Sequence, residues 1–122
     1  MSKNHGVVLC IGNDLVNLNL RCSLLEQCGW HVLSAGNGHA GVTRFGQERV
    51  DAVAIDLNHD GSESALITAE LKRQRPQVPV IILVANREVL VQGATQQADA
   101  VLLKCEEAQL LHDTLKNLLG CS

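Results

Sequence analysis

The chain has 122 residues, of which 46% are hydrophobic and 19% charged, and its formal net charge is −3. This length and composition indicate one globular domain and exclude an intrinsically disordered chain. The mild negative charge argues against nucleic-acid binding, and no apolar run approaches the roughly 20 residues of a membrane-spanning helix. We therefore expect a single cytoplasmic domain over residues 1–122.

Short apolar runs alternate along the chain with segments of helical periodicity. Such an alternation predicts parallel strands joined by right-handed helical crossovers. The predicted strands cover residues 6–11, 30–35, a segment around Val53, 79–84 and 100–103. The predicted helices cover the segment after residues 12–14 up to 28, the segment after the 36–38 turn to about 47, and residues 62–75, 86–97 and 106–119.

Two of the predicted helices carry informative side chains. Asp14 or Asn13 can cap the first helix, because both are good acceptors for backbone N–H groups at a helix start. In the last helix, Leu111, Leu115 and Leu118 recur at a spacing that predicts a core-facing stripe.

The apolar run at residues 53–55 has no polar alternation and ends abruptly at Asp56. This pattern is typical of a strand that is buried on both faces at the centre of a parallel sheet. We expect a three-layer α/β/α sandwich around a flavodoxin-like five-stranded parallel sheet in the order 2-1-3-4-5. Sites in such sheets lie at the carboxyl ends of the strands, which should bring residues 12–14, Asp56 and Lys104 to one cleft.

Landmarks at the ends of these elements match one known family. They are Asp56 after the third strand, Lys104 after the fifth, Gly29 after the first helix and Pro79 at the start of the fourth strand. Their joint order resembles the receiver domain of two-component response regulators, over essentially the whole chain. The resemblance implies that Asp56 is the phosphoacceptor for a histidine kinase and that Lys104 is the ion-pair partner of the phosphate.

The metal ligands of that family are only partly present in this sequence. Receivers hold Mg²⁺ with two acidic residues after the first strand, and these positions fall on Gly12 and Asn13. The remaining ligand candidates are Asp56, Asn58, Asn13 and Asp14. Because Mg²⁺ prefers carboxylate oxygens, we expect weak Mg²⁺ binding and no other cofactor.

The two switch positions of the family also differ in this sequence. The hydroxyl residue that ends the fourth strand falls on Val84, and the aromatic residue of the fifth strand falls on Val101. A valine cannot donate a hydrogen bond to a phosphoryl oxygen, so Val84 favours a site that does not switch.

These features favour a degenerate receiver that acts as a protein-interaction module rather than as an enzyme. We expect it to dock a histidine kinase or another signalling protein through the fourth helix, fifth strand and fifth helix, and a homodimer is an alternative. One alternative function is a conventional phospho-accepting receiver that uses Asp56 and Mg²⁺. A second is a phosphotransfer enzyme based on Cys10 near the end of the first strand, although a buried strand residue is the simpler interpretation of Cys10.

Overall fold

The computed structural model describes residues 5–57, 62–85, 97–104 and 108–120. Within these ranges the chain forms five strands and four helices. The strands are β1 (Val7–Gly12), β2 (His31–Ala35), β3 (Ala52–Asp56), β4 (Val80–Val84) and β5 (Ala100–Leu103). The helices are α1 (Leu15–Gln27), α2 (Gly38–Gln47), α3 (Ser62–Gln74) and α4 (Ala108–Leu119). The helix predicted over residues 86–97 lies outside the described residues, except for Gln97.

The five strands form one parallel sheet in the order β2-β1-β3-β4-β5, which confirms the predicted topology. At the centre, β1 and β3 pair so that Gly12 lies opposite Asp56. On the outer side, Val84 of β4 pairs with Leu103 of β5. The carboxyl ends of four strands therefore meet at one edge of the sheet, around Asp56.

The sheet separates two halves of the hydrophobic core. Alternate residues of a strand point to opposite faces, and β1 shows this directly. Its Leu9 and Ile11 belong to a cluster with side chains of α2 and α3, whereas Val8 and Cys10 belong to a cluster with side chains of α1 and α4. Every residue of β3 and β4 is buried, as expected for strands covered on both faces. The predicted three-layer sandwich is confirmed.

Helix α2 approaches β1 closely at Gly41. A Cβ atom added there would overlap the Ile11 side chain. Gly46 lies on the exposed side of the same helix, and an added Cβ would make only an ordinary contact of 3.6 Å with Gln74. The close packing of α2 on the sheet therefore depends on the missing side chain at Gly41.

Helix α1 begins and ends as the sequence predicts. The side chain of Asp14 accepts hydrogen bonds from the backbone N–H groups of Val16 and Asn17 and caps the helix. At the other end Gly29 adopts a φ of 100°, a left-handed conformation that favours glycine. None of the helices among the described residues is long and apolar enough to cross a membrane.

One predicted core residue of α4 is not in the core. Leu111 and Leu115 are 4% and 0% exposed, but Leu118 is 36% exposed, so that prediction was wrong. Leu119 packs against the core cluster instead. Leu111, Leu115 and Leu119 follow one another in steps of four residues and therefore lie on the same face of the helix. This face packs on the sheet, and Leu118 lies at its margin.

Candidate functional site

The candidate site is centred on Asp56, the last residue of β3. Its side chain is 3% exposed, although it lies at the end of a strand. A buried carboxylate is costly unless it is paired with a cation or well hydrogen bonded. The partners of Asp56 therefore define the chemistry of the site.

Lys104 is the first of these partners. It follows β5, and its backbone N–H donates to the carbonyl oxygen of Val84 at 2.8 Å. Its side chain crosses the end of β4, and Nζ lies 2.6 Å from Oδ1 of Asp56. The contact is an ion pair without hydrogen-bond geometry, and Oδ1 accepts no hydrogen bond from the described part of the chain.

Arg21 of α1 is the second partner, and the sequence reasoning missed it. Its guanidinium Nη2 donates to Oδ2 of Asp56 at 3.3 Å, and its side chain is only 14% exposed. The two cations approach from opposite sides, because α1 follows β1 whereas Lys104 follows β5. Asp56 is thus held between two positive side chains that the chain itself supplies.

A helical pattern could have indicated the position of Arg21. It lies three residues after Leu18 and four before Leu25, and both leucines are buried on the sheet side of α1. Side chains on a helix lean towards its N-terminus, and α1 begins at the edge of the sheet where Asp56 lies. A long basic side chain at this position can therefore reach the strand ends about 9 Å back along the axis. A charged residue on a buried helix face was the available signal.

The metal-ligand candidates do not form a magnesium site among the described residues. Asp14 accepts hydrogen bonds from Val16 and Asn17 with Oδ1, and from the Asn17 side chain with Oδ2, as the helix cap. Asn13 is exposed, and Asn58 lies outside the described residues. No group of three His, Cys, Asp or Glu side chains that could hold a metal ion occurs in the described ranges. Within the described ranges, these side chains offer fewer oxygen ligands than the several that Mg²⁺ needs.

The two predicted switch positions carry only apolar groups. Val84 is 4% exposed and packs with Ile82, while Val101 is partly buried against the same small cluster. Neither side chain can donate a hydrogen bond towards Asp56. The role of these two residues as switch positions stays a prediction.

The sequence also matches a known family along most of its length. Residues 8–116 match the response regulator receiver domain. The chain belongs to the response regulator receiver domain family. The resemblance inferred from the strand-end landmarks is confirmed at the level of the family, and the phosphoacceptor role of Asp56 stays a prediction.

Relatives of this receiver domain occur within longer signalling proteins. The transcriptional regulatory protein GlrR of Escherichia coli K12 is 33% identical over 98 residues, which are 80% of this chain and 22% of GlrR. The sensor histidine kinase GacS of Pseudomonas protegens is 30% identical over 117 residues, which are 89% of this chain and 13% of GacS. The chain thus spans less than a quarter of the length of either protein.

Solved receiver structures share the fold. The response regulator TrrA of Thermotoga maritima, in complex with Mg²⁺ and BeF, superposes with a TM-score of 0.85 at 20% sequence identity. The match covers 93% of this chain and 99% of TrrA. At this level of identity the likeness supports the fold alone.

In this receiver, a pair of thiols links β1 and α1. Cys10 is fully buried in β1, whereas Cys22 of α1 is partly exposed. A hydrogen bond from the Cys10 thiol lowers the pKa of Cys22 to about 7. The same bond and burial raise the pKa of Cys10 well above its usual value. The buried thiol is therefore the less reactive of the two, which agrees with the interpretation of Cys10 as a core residue.

A second cluster joins α4 to the start of β2. The indole N–H of Trp30 donates to Nδ1 of His112 at 2.8 Å, and both side chains are buried. The ring of His5 lies 5.2 Å from Trp30 and 5.6 Å from His112, measured between centroids. Burial, with the positive charges of Lys116 and His5, lowers the pKa of His112. His112 must be neutral at Nδ1 to accept the indole hydrogen bond.

Proposed function

We propose that this receiver domain works in two-component signalling as a protein-interaction module, with weak or no phosphorylation of Asp56. The observation that carries the proposal is the state of the Asp56 carboxylate. It is 3% exposed and already paired with Lys104 and Arg21. A phosphoryl donor would have to reach a carboxylate whose two oxygens are each already paired with a cation.

Among the described residues, the surroundings of Asp56 also supply few of the groups that assist phosphoryl transfer. Enzymatic phosphoryl transfer depends on positioning and on metal ions that neutralise the developing charge. The described residues around Asp56 do not fit a divalent cation, and Val84 offers no donor to a phosphoryl oxygen. Both observations support a receiver whose fold is intact but whose chemistry is reduced.

The proposed docking face comprises the 86–97 segment, β5 and the last helix. Among the described residues of this face, Leu110 and Leu118 of α4 are 37% and 36% exposed, and Val101 of β5 is only partly buried. Partly exposed apolar side chains next to an edge strand suit a protein partner. We propose a histidine kinase or another cytoplasmic signalling protein as that partner, with a second copy of the chain as the alternative.

The phosphorylation proposal is tested by intact-mass measurement after treatment with acetyl phosphate, with and without Mg²⁺. The control is Asp56→Asn, which keeps the shape of the side chain and removes the acceptor. We expect no mass change in either protein. A gain of one phosphate that requires Asp56 would instead establish the conventional receiver that uses Asp56 and Mg²⁺.

The enzyme alternative based on Cys10 has less support. Its side chain is 0% exposed and packs in the core between β1 and α1. A nucleophilic cysteine must be accessible and carry a lowered pKa, whereas burial and the bond to Cys22 raise the pKa of Cys10. We therefore propose that the domain is not a Cys10 phosphotransfer enzyme.

A further inference from the structure

The contact between Arg21 and Asp56 is unusually enclosed for an ion pair in this chain. The two side chains are 14% and 3% exposed, whereas the Arg49–Asp51 pair at the other end of β3 is 85% and 27% exposed. Long charged side chains are rarely buried unless they are paired. The packing of α1 thus directs Arg21 towards one particular oxygen, Oδ2 of Asp56.

Arg21 reaches Asp56 from the side of the site where the family places its acidic metal ligands. Arg21 comes from α1, directly after β1, and β1 lies beside β3 in the sheet. The residues that follow β1 are those from which the family draws its acidic metal ligands, and here they are Gly12, Asn13 and the helix cap Asp14. The positive charge of Arg21 therefore enters the site from the side where Gly12 and Asn13 stand in place of the two acidic ligands of the family.

A guanidinium and a divalent cation would compete at this position. Both need the same carboxylate, and like charges so close together repel each other strongly in a poorly hydrated site. A metal that displaced Arg21 would find no group of three His, Cys, Asp or Glu side chains in the described ranges, and it would leave the guanidinium without its partner. The arrangement therefore favours the arginine over the metal.

We propose that Arg21 is a built-in counter-cation that takes the place of the divalent metal beside Asp56 and excludes it from the site. This inference rests on the proposed function and names the groups that neutralise Asp56. Lys104 neutralises Oδ1 from the β5 side, and Arg21 neutralises Oδ2 from the β1 side.

The test is Mn²⁺ binding, measured by titration calorimetry and by the effect of Mn²⁺ on thermal unfolding. Wild-type protein should bind Mn²⁺ too weakly to change its unfolding temperature. Arg21→Gln removes the charge, and Arg21→Glu replaces it with a carboxylate. We expect Arg21→Glu to gain about tenfold or more in Mn²⁺ affinity, and Arg21→Gln to gain less, since each step lowers the repulsion.

Two control variants separate the local effect from the overall charge. Arg21→Lys keeps a cation near Asp56 and should exclude Mn²⁺ as the wild type does. Arg49→Glu makes the same charge change at the opposite end of β3, where the side chain is 85% exposed, and should leave Mn²⁺ affinity unchanged. A gain in Arg49→Glu as large as in Arg21→Glu would overturn the proposal.

Other outcomes also decide the question. Tight binding of Mn²⁺ to wild-type protein that Asp56→Asn abolishes would overturn it, even if no Arg21 variant folds. Equal Mn²⁺ affinity in folded wild-type, Arg21→Gln and Arg21→Glu proteins would overturn it as well, whether or not Asp56 accepts phosphate. Phosphorylation of Asp56 in the wild type would instead contradict the proposed function, so the two failures have different readouts.

Discussion

The Arg21–Asp56 pair should contribute measurably to the stability of the folded domain. Arg21→Met keeps an aliphatic side chain of similar reach and removes the guanidinium that lies 3.3 Å from Oδ2. The buried carboxylate would then retain Lys104 as its ion-pair partner among the described residues. A double-mutant cycle with Asp56→Asn isolates the contribution of the pair from the effects of each substitution alone.

The distance and the burial set the expected size of this coupling. Two unit charges at 3.3 Å attract by about 5 kcal/mol at an effective dielectric constant of about 20. Lys104 already neutralises much of the same carboxylate, and the 14% exposure of Arg21 admits some screening. We therefore expect a coupling of about 2–3 kcal/mol, below the roughly 3–5 kcal/mol for breaking a fully buried pair.

Urea unfolding of the four proteins in the cycle measures the coupling. The matched control is the cycle Arg44→Met and Glu48→Gln, whose side chains pair at 2.7 Å but are 39% and 42% exposed. Such a surface pair should couple by less than about 0.5 kcal/mol. A coupling for Arg21 and Asp56 no larger than that of the control would refute the view that Arg21 neutralises Asp56.

Three further outcomes are expected away from Asp56. In urea unfolding, Gly41→Ala should lower the free energy of unfolding by about 1–3 kcal/mol, because the new methyl group overlaps the Ile11 side chain of β1. Gly46→Ala should raise the free energy of unfolding by up to about 1 kcal/mol, and a rise in both variants would contradict the close approach at Gly41. At neutral pH, iodoacetamide should modify Cys22 well before Cys10, because the pKa of Cys22 is about 7 and that of Cys10 is raised. Peptide mass mapping measures the order, and the reverse order would contradict the hydrogen bond between the two thiols. Folding lowers the pKa of His112 from 6.5, so the unfolded chain binds a proton at this residue at a higher pH than the folded chain does. The free energy of unfolding should therefore fall as the pH drops below about 6.5, and an equally steep fall in His112→Gln would contradict this.

The sheet order was predictable because the apolar composition of a strand indicates how deeply it is buried in the sheet. The runs that became β3 and β4 have no polar residues before their ends, and both strands are buried along their whole length. A polar residue directly after such a run must lie at the edge of the sheet, as Asp56 does. Lys104 follows the apolar but only partly buried β5, and the parallel arrangement of the strands placed it at the same edge.

The contributions of helical side chains were harder to predict. Arg21 was overlooked because α1 carries several other polar side chains, so a basic residue on it resembles a solvated side chain. Its spacing from Leu18 and Leu25 nevertheless places it on the buried face. Leu118 was wrongly predicted as buried because its spacing from Leu111 and Leu115 fits a core-facing stripe. The rotation of α4 about its axis instead brings Leu119 against the core. Helix rotation depends on tertiary packing, which no local spacing specifies.

Both positive groups beside Asp56 are part of the polypeptide, so they are present in every copy of the domain from the moment it folds. With a site that binds no metal and accepts no phosphate, as proposed, the electrostatic state of the site would not depend on ion supply or on the turnover of a modifying group. If the domain acts by docking, as proposed, the fraction of its partner that is bound would follow mass action. That fraction would then be set by the concentration of the domain, and hence by its rates of synthesis and degradation.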